Sequence, residues 1–189
     1  IGGGTSVIMP KLPETGGGMW GAQALGIVAP INPMLEPHAL RDIMTEADAE
    51  AVIVEGPVDG SNIWQKTLSI LDDVPGLKAV FWVAIDGEEA DVPDTTPGGI
   101  PILEFSSALD AQSGDKLSFQ RQVQPDDIAA YFHTGGTTGR PKIARHSHAN
   151  QIHTASMMAD MFDYGEHTVA IGGLPHFHVN SYFNDGLKP

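Results

Sequence analysis

The chain has 189 residues, 41% of them hydrophobic and 18% charged, enough for a sizeable buried core and inconsistent with a disordered tract. Its 24 acidic residues outnumber 10 basic ones for a net charge of −14, so no nucleic-acid or anionic-lipid partner is expected. Cysteine is absent, which removes disulfides and thiol catalysis; no apolar run reaches a membrane span and no signal peptide is visible, so a cytoplasmic protein without an integral membrane segment is expected.

In chain order, Val7-Ile8-Met9 reads as a short buried strand stopped by Pro10 and Pro13. Glu14 to Leu25 carries Met19, Ala22 and Leu25 at helical spacing, although Gly16-Gly17-Gly18 opposes a helix. Gly26 to Ala29 reads as a strand. Pro37 suits the first turn of a helix to about Glu46 that buries Leu40, Ile43 and Met44. Ala51 to Val54 is a strand, Asn62 can cap a helix through Leu71, and Leu77 to Val83 is a further strand. From Asp86 to Gly99 the chain turns to acid, Pro and Gly, a surface excursion. Asp110 to Gln124 is a polar connection. Ile128 to Phe132 is a strand and Ile143 to Arg145 its return. Ser147 caps a helix through Phe162, with Ile152, Ala155, Ala159 and Phe162 on one face. In the Met157, Met158 and Met161 cluster, core packing is favoured over an acyl-binding surface. Val169 to Leu174 is the last strand. Alternating strands and helices predict an α/β fold, a mostly parallel sheet flanked by helices. The polar stretch before residue 125 divides it into a first α/β subdomain, 1–124, and the start of a second, 125–189.

One loop carries the chemistry. Thr134-Gly135-Gly136-Thr137-Thr138-Gly139 follows an apolar strand directly, and Arg140-Pro141-Lys142 follows it. Glycines permit backbone angles that expose successive N–H groups, which can nest phosphate oxygens; three threonines add hydroxyls and Lys142 a positive charge. Such a loop can equally be a plain surface turn. It is not a Walker loop, which needs Gly-Lys-Ser/Thr, nor a dinucleotide fingerprint, whose glycine spacing differs. Arg140, Lys142 and Arg145 stand out against the acidic background and hint at an anion site.

The segment resembles the signature loop of the adenylate-forming superfamily, Thr-Ser-Gly-Thr-Thr-Gly-x-Pro-Lys-Gly. It matches at Thr134, Gly136, Thr137, Thr138, Gly139, Pro141 and Lys142 and departs at Gly135 and Ile143. Gly173-Leu-Pro-His-Phe-His178-Val resembles that family's Pro-Leu-Phe-His-Val segment, which lies beside the acyl pocket. Met9-Pro-Lys-Leu-Pro-Glu14 and Gly26-Ile-Val-Ala-Pro-Ile-Asn-Pro33 resemble its early segment. The likeness is closest to AMP-forming acyl-CoA synthetases of fatty or aryl acids. It implies a partial N-terminal domain of that fold, with the C-terminal domain absent. It also implies an AMP-forming acid–thiol ligase that takes a carboxylic acid, ATP, Mg²⁺ and CoA. By this resemblance Thr134, Gly135, Gly136, Thr137, Thr138, Gly139 and Lys142 bind the ATP phosphates and His178 lines the acyl pocket. No catalytic nucleophile and no resident metal site are expected, because the substrates supply the reacting groups. The family's ribose, Mg²⁺ and catalytic-lysine segments are not in these residues, so the chain alone is expected to be inactive, and either less stable than a whole enzyme or self-associating.

Seven of eight histidines follow Phe132, and His146-Ser-His148 and His176-Phe-His178 are His-x-His pairs. On a strand such a pair shares one face and can hold a metal, so a metal-dependent hydrolase is the rival reading. No His-Glu-x-x-His and no nearby carboxylate supports it. A non-catalytic nucleotide- or acyl-binding relative is the other. His38, His153 and His167 read as solvated surface, and His133 and His146 as flanks of the loop.

Overall fold

The computed structural model describes residues 3–85, 90–116, 119, 121–134, 141–162, 167, 169 and 171–183. Among these residues seven strands form one sheet in the order β5-β4-β3-β1-β2-β6-β7. They are β1 (Gly4–Ile8), β2 (Ile27–Pro30), β3 (Ala49–Glu55), β4 (Ala79–Val83), β5 (Ile102–Glu104), β6 (Ile128–Thr134) and β7 (Lys142–Ser147). Every pairing is parallel except β6 with β7. The mostly parallel α/β sheet expected from the alternation is therefore the observed fold. The sheet runs across residue 125, because β6 pairs with β2.

The helices are α1 (Pro13–Leu25), α2 (Pro37–Glu46), α3 (Ile63–Leu68), α4 (Phe105–Asp110), α5 (His148–Phe162) and the single turn α6 (Val179–Ser181). Strand side chains alternate between faces, and that alternation builds two cores. On one face Ile8, Val52 and Val54 pack with Leu40, Ile43 and Met44 of α2 and Trp64 of α3. On the other, their chain neighbours Val7 and Ile53 pack with Met19 and Ala22 of α1, Phe105 of α4, Phe132 and Tyr182. Each fully buried aliphatic side chain contributes about 1.5–3 kcal/mol.

Helix α1 forms despite its glycine run. Thr15 reaches back to close its first turn: its hydroxyl accepts from the Leu12 N–H at 3.3 Å and donates to the Pro10 carbonyl at 2.6 Å. Only Gly18 is set by packing, since a Cβ there would lie 2.8 Å from Ile53 Cδ1; Gly16, Gly17 and Gly21 have open space. The helix has no basic residue in its last turn. Arg121, from the polar connection, supplies one by donating to the carbonyls of Gln23, Ala24 and Gly26 at 3.3, 3.4 and 3.4 Å.

Several local expectations are corrected. The third helix ends at Leu68, before a 3-10 turn at Leu71–Asp73, and Asn62 makes no side-chain cap. The Ser61 hydroxyl accepts from the Ile63 N–H instead, and also donates to the Glu55 carboxylate. β5 and α4 were not expected; Glu104 ends the strand and caps the helix by accepting from the Ser106 and Ser107 N–H groups. The described part of the excursion before residue 100 is mostly exposed but tied down, with the Thr96 hydroxyl and Gly98 N–H donating to Asp72. In α5, Ser147 does cap as expected, accepting from the Asn150 N–H at 3.2 Å. The buried face differs: Gln151 is buried while Ile152 and Phe162 are 68% and 53% exposed. Met158 packs against the second core, but Met157 and Met161 are exposed. The expected strand at Val169 to Leu174 is absent among the described residues, and Val169 and Ile171 are almost fully exposed. The Gly172-Gly173 run opposes a strand here.

Candidate ATP and acyl site at the strand ends

In a parallel α/β sheet the carboxyl ends of the strands point to one edge, where ligands bind. Here that edge gathers Lys11 just past β1, Asn32 just past β2, and His133 and Thr134 closing β6. Because β7 runs antiparallel to β6, Lys142 returns to the same edge, opposite Thr134. The Thr134 hydroxyl donates to the Lys142 carbonyl at 3.3 Å, which pins the two sides of the hairpin mouth.

Gly135, Gly136, Thr137, Thr138 and Gly139 lie outside the described residues, as does Arg140. Their flanks are described. Thr134 and Lys142 are both exposed. The Lys142 ammonium has no ion-pair partner among the described residues. Arg145, the third cation, sits over the Tyr131 ring at 5.9 Å and is engaged away from the hairpin mouth.

His133 joins two strand ends. Its Nε2 accepts from the Asn32 backbone N–H at 3.2 Å, which fixes the neutral ring with its proton on Nδ1. Burial holds its pKa below the ordinary imidazole value, and the neighbouring His178 adds to that. The ring stacks on Phe177, centroids 6.4 Å apart and planes 23° apart.

The segment carrying Phe177 is tied to the same edge. Lys11 Nζ donates to the carbonyls of Gly172 and Leu174 at 2.8 and 3.3 Å, across 161 and 163 residues. The Ser181 hydroxyl donates to the Leu174 carbonyl at 2.7 Å. His178 is exposed and opens α6, its Nδ1 accepting from the Asn180 N–H at 3.2 Å. A shallow cleft beside it is lined by Gly16, Met19, Trp20, His176 and Tyr182. Sequence reading assigned no role to Lys11 or Asn32, and gave His176 only a place in a candidate metal-binding pair. The signal available was position alone, a polar residue directly after an apolar strand for the first two.

Among the described residues the His-x-His pairs do not group with further ligands into a metal centre. His146 lies in β7 and packs on Phe132 and Phe183, centroids 5.1 and 5.8 Å away, whereas His148 begins α5. Burial lowers the pKa of both. Among the described residues no three His, Cys, Asp or Glu side chains group to hold a metal ion. The metal-dependent hydrolase reading is not favoured. No helix among the described residues is long and apolar enough to cross a membrane.

The model of the AMP-binding enzyme family matches residues 4–185. The marinolic acid–CoA ligase of Pseudoalteromonas sp. (strain SANK 73390) is 30% identical over 92% of this chain and 26% of its own length. The long-chain-fatty-acid–CoA ligase of Bacillus subtilis (strain 168) is 28% identical over 92% of this chain and 33% of its own length. The chain thus spans about a quarter to a third of these relatives. Among solved structures, the long-chain-fatty-acid–CoA ligase FadD1 of Archaeoglobus fulgidus superposes with a TM-score of 0.76 at 23% identity, over 98% of this chain and 33% of that one. The acetoacetyl-CoA synthetase of Streptomyces lividans gives 0.78 at 19%, over 98% and 28%. Fold, strand-edge geometry and a match over almost its whole length agree: the chain belongs to the AMP-binding enzyme family.

Proposed function

We propose that the protein containing this chain activates a fatty or aryl carboxylic acid with ATP, forming acyl-AMP and pyrophosphate, and passes the acyl group to the CoA thiol. The observation that carries the reading is the hairpin mouth at the sheet's carboxyl edge. There Thr134 and Lys142, whose ammonium has no ion-pair partner among the described residues, flank the Gly-Thr loop. That geometry fits the phosphates of ATP: a cation and a hydroxyl stand at the strand ends, and Gly135, Gly136, Thr137, Thr138 and Gly139 between them would supply N–H and hydroxyl donors. Attack by the carboxylate on the α-phosphorus builds charge on the departing pyrophosphate. Preorganised donors that meet the charge as it develops stabilise the transition state more than the ground state. Mg²⁺, entering with the nucleotide, supplies Lewis-acid charge neutralisation.

The acid belongs on the Phe177 side, with His178 lining its pocket. The His133–Phe177 stack supports this, because it joins that wall to the strand end carrying Thr134. Neutral His133 adds no second positive charge beside the phosphates. The division into subdomains 1–124 and 125–189 belongs to this reading, with the polar connection before β6 as its seam. So do a cytoplasmic location, supported by the absence of cysteine, and self-association, supported by exposed apolar residues such as Met161 and Ile171.

The test is thioester formation by the intact protein with aliphatic and aryl acids, ATP, Mg²⁺ and CoA. Acid-dependent acyl-CoA with AMP as the nucleotide product supports the reading; ATP cleaved to ADP, or no dependence on any acid, refutes it.

A further inference from the structure

Tyr182 is 1% exposed, Gln23 5% and Gln151 2%, and the three stand together inside the second core. They come from elements far apart in sequence: α1, α5 and the residue closing α6. Gln23 Nε2 donates to the Tyr182 hydroxyl and, at 3.2 Å, to Gln151 Oε1. The Tyr182 hydroxyl donates to the same Gln151 oxygen at 3.3 Å. The triangle is closed but not saturated, since Gln151 Nε2 has no partner among the described residues. Around it the Tyr182 ring meets Trp20, Phe132 and Phe183 at centroid distances of 5.4, 5.2 and 5.7 Å. Burial raises the phenol's pKa, which keeps it a neutral donor.

Apolar side chains would fill this space without the cost of burying three polar groups. A buried polar network instead permits one relative placement of the elements that carry it. Here the placed element is the end of the segment running from Gly172 to Phe183. Its other end is held by Lys11, and it carries His176, Phe177 and His178 between the two anchors.

Resting on the adenylation reading above, we propose that Tyr182, with Gln23 and Gln151, is a positioning lock that fixes the His176–Phe177–His178 wall against α1 and so sets the affinity for the carboxylic acid. None of the three touches the reacting atoms. Loss of the lock lets the wall sample other placements, so the acid binds less tightly while the phosphate side is unaltered.

The experiment uses the intact protein and three forms: wild type, Tyr182→Phe, and the triple variant Gln23→Leu, Gln151→Leu, Tyr182→Phe. Removing one partner strands buried amides, whereas replacing all three with apolar groups is nearly neutral for folding, so the triple variant separates stability from placement. Both variants are expected to show faster amide exchange over residues 172–183. Both are expected to show KM for the acid raised about tenfold, with kcat and KM for ATP within about twofold. The triple variant should melt close to wild type. Unchanged exchange over 172–183 overturns the lock. Faster exchange with unchanged KM for the acid overturns its positioning role. Equal losses in KM for acid and ATP also overturn that role, by indicating general loosening. A wild-type protein that activates no acid refutes the adenylation reading and the positioning role with it, while the exchange data still decide whether the lock exists.

Discussion

Protonation of His133 should unfasten two strand ends. Its Nε2 accepts the Asn32 N–H at 3.2 Å, so a proton there sets one donor against another. The hydrogen bond is lost and the Asn32 N–H is left without its partner in a half-buried site, at a cost of about 1–3 kcal/mol. The sign follows from the lowered folded-state pKa, caused first by burial and then by His178. The unfolded chain, with an ordinary value of about 6.5, binds the proton more readily. The contribution is therefore complete above that value and is lost as pH falls below it towards the folded value. Urea unfolding from about pH 8 to about pH 5.5 should show stability declining towards acid. In His133→Gln the amide oxygen can still accept from Asn32 but does not titrate, so the decline should be shallower. Some slope should persist, because burial also lowers His146 and His148. Identical pH slopes for wild type and His133→Gln would refute the reasoning.

Four further outcomes are expected. Gly17→Ala with Gly21→Ala should stabilise α1 by about 1–2 kcal/mol, read as a raised urea midpoint, because neither Cβ meets any atom and Ala is the better helix former. Arg121→Met should destabilise by about 1 kcal/mol, checked by thermal unfolding, because it removes the cation from the carbonyl end of α1. Lys11→Met should speed proteolysis within residues 171–176 while leaving the sheet intact, as its ammonium bonds two carbonyls there. The 189-residue chain alone should form no acyl-CoA, because it spans 26% and 33% of the two relatives described and near-attack geometry needs every substrate held; a thioester assay on purified chain decides it.

What the sequence disclosed, and what it hid, divides along physical lines. Helix α2 was legible to the residue because Pro37 fixes its first turn and Leu40, Ile43 and Met44 fall on one face. The same reasoning misplaced the buried face of α5. Periodicity assigns apolar residues inward, whereas Gln151 is held inside by Tyr182 and Gln23, partners 31 and 128 residues away. Such a network has no local signature. β5 and α4 were missed because three and six residues are too short for periodicity to register, and the cap is a Glu rather than Ser, Thr, Asp or Asn. The hairpin around the loop was legible because an apolar strand precedes the glycines and a second follows them. The roles of Lys11 and His133 were not, since His133 depends on β6 lying beside β2 and Lys11 on a stretch 161 residues further along the chain.

The central claim is that this strand edge supports adenylation of a carboxylic acid. The most direct measurement is acid-dependent exchange of labelled pyrophosphate into ATP, without CoA, by the intact protein and its Thr137→Val and Lys142→Met variants. The account predicts exchange in wild type that requires a carboxylic acid, with each variant slower by about 10²–10³ while still folded. Exchange that proceeds equally in all three, or that needs no acid, would contradict it.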